Sequence, residues 1–515
     1  MAIEEGYFIS VDAGTGSCRA ALYDFYGHEI DIVSKEWSHG SLSQYPNSQV
    51  FDAKNNWKSI ATCIKTVIKR NSLYNNSIRA ISATSMREGI VLYDENGVEI
   101  WACPNVDGRA HEESAAFEES GYAKTIYKES GDWVTITSPS RLNWIRKHQP
   151  NIYKKTHKLT MLSDWVLYKL TGEFVTDCSI ASSSGLLNIS SSKWSQNIMD
   201  ILELDKKILP DIYDSGTVIG EVHKKASEET GLELGTPVVL GGADTQLALV
   251  GIGNNAHSDF TLIGGSFWQS TVVLDEPLID DKIRLRTLSH SIPNKWMMEG
   301  IGYYSGLVMR WFRDAFCDYE KQEAIEQKID AYQIMENQAK KVAPGSNGVT
   351  GIFGNIMNTQ NWVHPSPSLM QYNINTPERS GKKESIRAIM ENAAYIARGH
   401  KEIIEEITRN KISTITFSGG GAKGELWPQI VADVLGVNVN IPEVKESSSL
   451  GAAIYCGIGT GIYESIDNSI NVKVNQIYYP NQQAHAIYND LFYKRKKITN
   501  ELDKLVADQT LNPLS

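Results

Sequence analysis

Residues 7–27 read YFISVDAGTGSCRAALYDFYG. Apolar and polar side chains alternate over residues 7–12, as in a strand with two distinct faces. The small residues of 13–17 (AGTGS) turn the chain, and residues 19–26 resume a strand-like run that Gly27 closes. The stretch predicts a β-hairpin whose tip carries little side chain and whose first strand ends on a carboxylate, Asp12. Such a tip presents backbone N–H groups with no Cβ in the way, a concavity suited to an anion.

Outward from the hairpin, residues 56–70 put Trp57, Ile60, Cys63, Ile64 and Ile68 on one helical stripe, and residues 78–83 (IRAISA) read as a short strand. The hairpin device then recurs. Residues 260–274 read FTLIGGSFWQSTVVL, again strand, glycine turn, strand. The segment before it, 236–242 (TPVVLGG), is a buried-type strand that runs through Ala243, Asp244, Thr245 and Gln246 into the apolar helical run LALVGIG. A third glycine unit lies at 413–437, with strand STITFS, turn GGGAKG and an amphipathic helix closed by Gly436. One strand-glycine-strand unit in each half is the pattern of a duplicated α/β domain with a nucleotide in the cleft between the copies. The polar stretch NNAHS (254–258) sets the expected boundary, giving domains 1–254 and 255–515. Residues 357–385, rich in Pro, Asn and Ser, read as a loop near the cleft or a surface insertion. Residues 486–508 read as a packed, charge-balanced terminal helix.

Length and composition agree. A chain of 515 residues exceeds one ordinary core, so two large domains are expected. With 41% hydrophobic and 22% charged residues it falls outside the collagen-like, disordered and low-complexity classes. No apolar run reaches the ~18 residues of a membrane helix, and the opening residues lack a secretory pattern, so a cytoplasmic protein without a membrane partner is expected. A net charge of −11 argues against nucleic acid but leaves local anion binding open. The six cysteines form no C-x-x-C pair and read as reduced thiols. No histidine or cysteine set has zinc spacing. P-loop and G-x-S-x-G motifs are absent, and Gly300-Ile301-Gly302 lacks the onward spacing of a dinucleotide fingerprint.

Six motifs carry chemistry, each beside a plainer reading. In Asp12-Ala13-Gly14-Thr15-Gly16-Ser17 the glycines admit a polyphosphate, Thr15 and Ser17 add hydroxyl donors, and Asp12 would face, through water, the Mg²⁺ that accompanies ATP; the plainer reading is an ordinary hairpin. Gly264-Gly265-Ser266 repeats that logic in the other half. Gly420, Gly421 and Ala422, between a strand and a helix, suit an adenosine moiety and its first phosphate, or simply a tight turn. Asp244 reads as a general base for an attacking hydroxyl, or as a helix N-cap. Arg87 and Glu88 suit the hydroxyl and carbonyl oxygens of a small polar substrate, or a surface ion pair. Asp107 and Arg109 form a similar pair. Gln246 and Asp107 are further substrate candidates, and Trp268 is either a pocket wall or a core residue.

Taken in order, DAGTGS, SMREG, NVDGRA, GGADTQ, IGGS and FSGGGAKG resemble the FGGY carbohydrate kinase family over nearly the whole chain. PSRLNWIRKHQP (139–150), with Arg141 where the family usually has Lys, and ENAAYIAR (391–398) are similar to its two signatures. The resemblance implies two ribonuclease-H-like (actin/hexokinase-type) α/β domains around a nucleotide-binding cleft. It implies ATP-dependent phosphorylation of a primary hydroxyl, with ATP as co-substrate and Mg²⁺, and it allows a homodimer. The run from SMREG to NVDGRA is similar to a branch of the family that phosphorylates the terminal 5-hydroxyl of the quorum-sensing signal 4,5-dihydroxypentane-2,3-dione. Val106, where the family often has Trp, and Gly265, where it often has Thr, are departures that alter the pocket and remove a hydroxyl contact to phosphate. A kinase of a pentulose, other ketose or polyol is the alternative. An actin-like ATPase would share the phosphate loops without needing Arg87 and Glu88, and a catalytically silent sugar sensor would not need Asp12 and Asp244.

Overall fold

The computed structural model describes residues 6–73, 77–302, 304–354 and 366–513. The opening hairpin forms. β1 (Tyr7–Ala13) and β2 (Ser17–Asp24) pair antiparallel down to Ala13↔Cys18, which leaves a four-residue tip, Gly14 to Ser17, with Gly14, Thr15 and Gly16 between the strands. β1 is covered on both faces. Ile9, Val11 and Ala13 enter one core, with Trp57, Ile60 and Ile64 of α1 (Ala53–Arg70), while Phe8 enters another. β3 (Glu29–Glu36), β4 (Ile78–Ser85), β5 (Val218–Glu221) and β6 (Pro237–Ala243) complete a six-stranded sheet of order β5-β6-β4-β1-β2-β3. β1, β4 and β6 are parallel neighbours, with Asp12 beside Thr84 and Ser85 beside Ala243. Their C-terminal ends therefore sit side by side, the usual position for a ligand on a parallel sheet.

α2 (Asp244–Ile252) follows β6 directly. β7 (Phe260–Gly264), β8 (Trp268–Leu274), β9 (Arg286–Ser289), β10 (Trp296–Gly302), β11 (Thr414–Ser418), β12 (Asn438–Pro442) and β13 (Val474–Tyr478) form a second sheet. Its order is β9-β10-β8-β7-β11-β12-β13. With β5, β9 and β13 set aside, the two sheets match. Each is an antiparallel meander of three strands, β3-β2-β1 or β10-β8-β7, extended beyond its first strand by two parallel strands. This is the ribonuclease-H-like arrangement twice over, as the repeated hairpins predict.

Helices α3 (Ser305–Phe316), α4 (Lys382–Thr408), α5 (Leu426–Leu435) and α7 (Gln482–Ala507) cover the second sheet. α6 (Ser447–Gly459) does not. Its Leu450, Ala453 and Ile454 pack with Phe8, Ala21, Ala80 and Val239 of the first sheet and with Leu247 and Val250 of α2. The α2–α6 crossing is close enough that a Cβ on Gly251 would lie 2.0 Å from the Ser447 carbonyl oxygen. A boundary at 254/255 remains our proposal and divides the sheets, while α6 crosses back. Residues 357–365 lie outside the described residues. Of the rest of the expected loop, Ser368–Met370 pairs with Thr350–Ile352, and α4 already begins at Lys382, so residues 382–385 are helical rather than loop. The terminal helix forms as expected. All six cysteines are free, and only Cys178 is not fully buried. Among the described residues no helix is long and apolar enough to cross a membrane.

Candidate active site

Three chain segments meet at the ends of β1, β4 and β6. Gly89 N–H donates to the Arg87 carbonyl at 2.7 Å, a tight turn that holds Glu88 at φ 62. Arg141 keeps this turn in place by donating to the Glu88 carbonyl and, at 3.0 Å, to the carbonyls of Pro104 and Asn105. Arg87 and Glu88 are both buried and do not pair with one another, which overturns the surface ion-pair reading. Arg87 forms a two-pronged bond to Glu299 of β10, 3.0 Å on each prong. Its Nε lies 3.4 Å from Asp244 Oδ1. Glu88 Oε1 accepts from Arg286 Nη1 of β9 at 2.7 Å. Arg286 Nε also donates to Glu299, at 2.6 Å, and its Nη1 lies 3.4 Å from Asp132.

Asp244 stands out among these acids. Its side chain is 34% exposed, whereas those of Glu88, Asp132 and Glu299 are 6%, 1% and 0% exposed. It opens α2 one residue after the N-cap position, which Ala243 occupies, and among the described residues it accepts hydrogen bonds only from its neighbour Thr245, at 2.7 Å from the N–H. It therefore caps no later N–H of the helix. The protein around it pushes its carboxyl above the ordinary range, Arg87 pulls it back, and Glu88 pushes it up again. A half-open carboxylate at a strand end, oriented by a fixed guanidinium, can accept a proton from a hydroxyl that docks against it.

Asp12, next to last in β1, lies nearby. Burial raises its carboxyl to about 6, Arg19 lowers it, and Asp244 raises it. Arg19 bridges Asp12, at 3.7 Å, and Glu446. At the hairpin tip the carbonyls turn inward. Trp37 Nε1 donates to Gly14 and Thr15 oxygens at 3.1 and 3.2 Å, and His39 Nε2 bonds the Thr15 oxygen at 2.8 Å. Among the described residues the amides of Thr15 and Gly16 donate to nothing, which leaves them for an anion.

The other two glycine motifs come together at the ends of the parallel strands β7 and β11, where Ile263 lies beside Ser418. They line one cleft of about 710 Å³ with Arg19, Trp268, Tyr332, Lys423 and Trp427. Gly264, Gly265, Ser266, Gly420 and Gly421 face this cleft, while Gly14, Thr15, Gly16 and Ser17 are not among its lining residues and Ala422 packs on the hydrophobic core. Trp268 combines both of its readings. It is 2% exposed, packs on Phe417 and Trp427, and lines the cleft. Of the remaining two candidates Asp107 has both oxygens engaged, while Gln246 keeps a buried Oε1 that has no hydrogen-bond partner among the described residues. Asp107 accepts from Arg109 Nε at 2.8 and 2.9 Å and from Gln49 N–H at 2.7 Å, and Gln246 is fully buried and donates to the Ser289 carbonyl at 3.1 Å.

Sequence reasoning missed Glu299, Arg286 and Asp132. Glu299 left one trace, a carboxylate inside the apolar run WMMEGIG (296–302). Among the described residues no group of three or more His, Cys, Asp or Glu side chains could hold a metal directly. Asp12, partly exposed and close enough to Asp244 for the two carboxylates to repel, fits a cation held through water.

The chain matches the sequence profile of the FGGY family of carbohydrate kinases, N-terminal domain, over residues 7–251 and that of its C-terminal domain over 268–460. It is 40% identical to the autoinducer-2 kinase of Yersinia pseudotuberculosis, serotype O:3 strain YPIII, over 94% of this chain and 92% of that protein. Its fold is similar to that of a xylulose kinase from Lactobacillus acidophilus, with TM-score 0.84 and 21% identity over 96% of this chain and 98% of the other. A Plasmodium falciparum glycerol kinase matches with TM-score 0.82 and 18% identity over 96% and 98%.

Proposed function

Since the chain belongs to the FGGY family of carbohydrate kinases, and is thus a phosphotransferase with an alcohol group as acceptor, we propose that its acceptor is 4,5-dihydroxypentane-2,3-dione, phosphorylated by ATP at the terminal 5-hydroxyl in the cytoplasm. The product would be the phosphorylated form of a quorum-sensing signal. The observation that carries the mechanism is the exposure of Asp244 within an otherwise sealed ionic cluster. The carboxylate takes the proton of the 5-hydroxyl as that oxygen attacks the γ-phosphorus. The new O–P bond forms as the bond to the β-phosphate oxygen breaks, and ADP leaves. Arg87 and Glu88 orient the dione and hydroxyl oxygens, the amides of Thr15 and Gly16 receive the phosphates, and the turn at Gly264 and Gly265, whose second amide is tied to the Phe267 carbonyl at 3.1 Å, lets them approach without a Cβ in the way. The adenosine end lies along Gly420 and Gly421 in the cleft. Asp12 would hold Mg²⁺ through water, where the ion supplies charge neutralisation to the phosphates. The choice of the dione is supported by the identity to autoinducer-2 kinases and by Val106, a small and half-open side chain.

The test is an ATP-dependent phosphorylation screen read by product mass, with the dione, xylulose, ribulose, glycerol and gluconate as acceptors. The dione is expected to give the highest kcat/KM. Preference for a sugar or polyol would keep the reaction and move the protein to carbon catabolism.

A further inference from the structure

Both residues read as touching the acceptor, Arg87 and Glu88, are held by the second sheet rather than by their own. Arg286 and Glu299 face each other across β9 and β10. Each sends its side chain to the end of β4. Glu299 is fully buried and is the common anchor, with one oxygen on Arg87 Nη2 and the other shared by Arg87 Nη1 and Arg286 Nε. A carboxylate that engages both terminal nitrogens fixes the plane of a guanidinium. The third nitrogen of Arg87, Nε, is then left facing Asp244. Arg286 in turn holds Glu88, with Asp132 behind it. The arrangement needs both sheets in contact. A displaced second sheet would free Arg87 to rotate and would leave Glu88 with no cation.

We propose that Glu299, acting with Arg286, is a positioning residue for phosphoryl transfer, setting the direction of Arg87 and Glu88 toward the acceptor so that the acceptor pocket is complete only when the two sheets are together. This rests on the reading of Arg87 and Glu88 as acceptor contacts. Glu299 itself touches neither the acceptor nor the nucleotide. Its effect therefore passes through Arg87 directly and through Arg286 to Glu88, and it is felt in acceptor use and not in ATP binding.

A double-mutant cycle tests this, run on whichever alcohol the wild-type enzyme phosphorylates. Absence of dione turnover by the wild type would thus refute the substrate assignment and leave this test intact. Glu299→Gln keeps the shape and removes the charge, and kcat/KM for the acceptor should fall ~10²-fold, the scale of a misplaced contact, with KM for ATP nearly unchanged. Glu299→Asp, which restores charge without reach, should recover part of the loss. In an Arg87→Ala background, Glu299→Gln should cost about 10-fold less than in the wild type, because only the route through Arg286 to Glu88 remains. Equal losses in both backgrounds, an ATP KM that rises with the acceptor KM, or near-normal turnover of Glu299→Gln would overturn the proposal. Should that variant not fold, Arg286→Lys carries the same test: it keeps the charge, loses the fork, and should raise KM for the acceptor alone. Unchanged acceptor KM there would equally overturn it.

Discussion

Asp244→Asn is the perturbation with the sharpest expected outcome. Asparagine keeps the volume, the carbonyl oxygen that accepts from Thr245 N–H at 2.7 Å, and a dipole toward Arg87 Nε at 3.4 Å. What it loses is the capacity to accept a proton. Positioned proton transfer contributes ~10²–10⁴-fold to rate, which is about 3–5 kcal/mol of barrier at 1.36 kcal/mol per decade. Folding stability should not fall with it. Arg87 retains both prongs on Glu299, and burial already disfavours the ionised Asp244, so removing its charge relieves a desolvation penalty while losing one long contact. The assay is coupled ADP release with saturating acceptor, alongside nucleotide-induced thermal shift. Turnover should drop by at least ~10²-fold while the ATP-dependent shift persists. Turnover within about 10-fold of wild type would refute the assignment of the base, and loss of the thermal shift would show that Asp244 acts on the nucleotide instead.

Asp132 is held up at about 6 by burial, against the pull of Arg286. A carboxyl raised in the folded state binds a proton that the unfolded chain has already released, so stability falls as pH climbs from about 4 through 6 and is then level. Relative to wild type, Asp132→Asn should therefore gain about 1.5 kcal/mol in unfolding free energy between pH 5 and pH 8, measured by denaturant titration. A variant that loses ground toward pH 8 would contradict this. A Cβ on Gly306 would meet the Gly265 carbonyl oxygen at 2.0 Å, so Gly306→Ala must shift α3 or the second glycine loop. KM for ATP should rise ~10-fold or more with KM for the acceptor unmoved, and steady-state kinetics would show the reverse if that loop served the acceptor. Asp107→Asn breaks a fully buried pair with Arg109 and should cost about 3–5 kcal/mol of stability, seen as a lowered Tm. A normal Tm with a raised acceptor KM would return Asp107 to the substrate-binding set.

The glycine hairpins were legible in the sequence because each is local. Strand, turn and strand lie within about twenty residues, and the alternation of β1 and the turn at Gly14, Thr15 and Gly16 need no distant partner. Asp244 was legible for a similar reason, as the residue where a strand run becomes a helical run. Arg286 and Glu299 were not, because what makes them meet is the register of β9 on β10, and what makes them matter is the arrival of Arg87 from 212 positions away. Asp107 shows what spacing leaves unsaid. Its residue type and spacing suggested chemistry, but the pairing with Arg109 and Gln49 leaves it without a free oxygen. The same limit hid α6, whose apolar run gives no hint of which sheet it will cover.

That placement of α6 bears on the order in which the chain emerges from the ribosome. Domains made first usually fold first. Here Phe8, Ala21, Ala80 and Val239 are synthesised early and are covered by Leu450, Ala453, Ile454 and Tyr463, which come near the end. Until those residues emerge, one side of the first sheet is covered only in part, by Leu247 and Val250 of α2. The first half therefore carries uncovered apolar surface while the chain between residues 254 and 447 is being made, and a fragment ending at residue 254 is expected to keep that surface exposed and to aggregate.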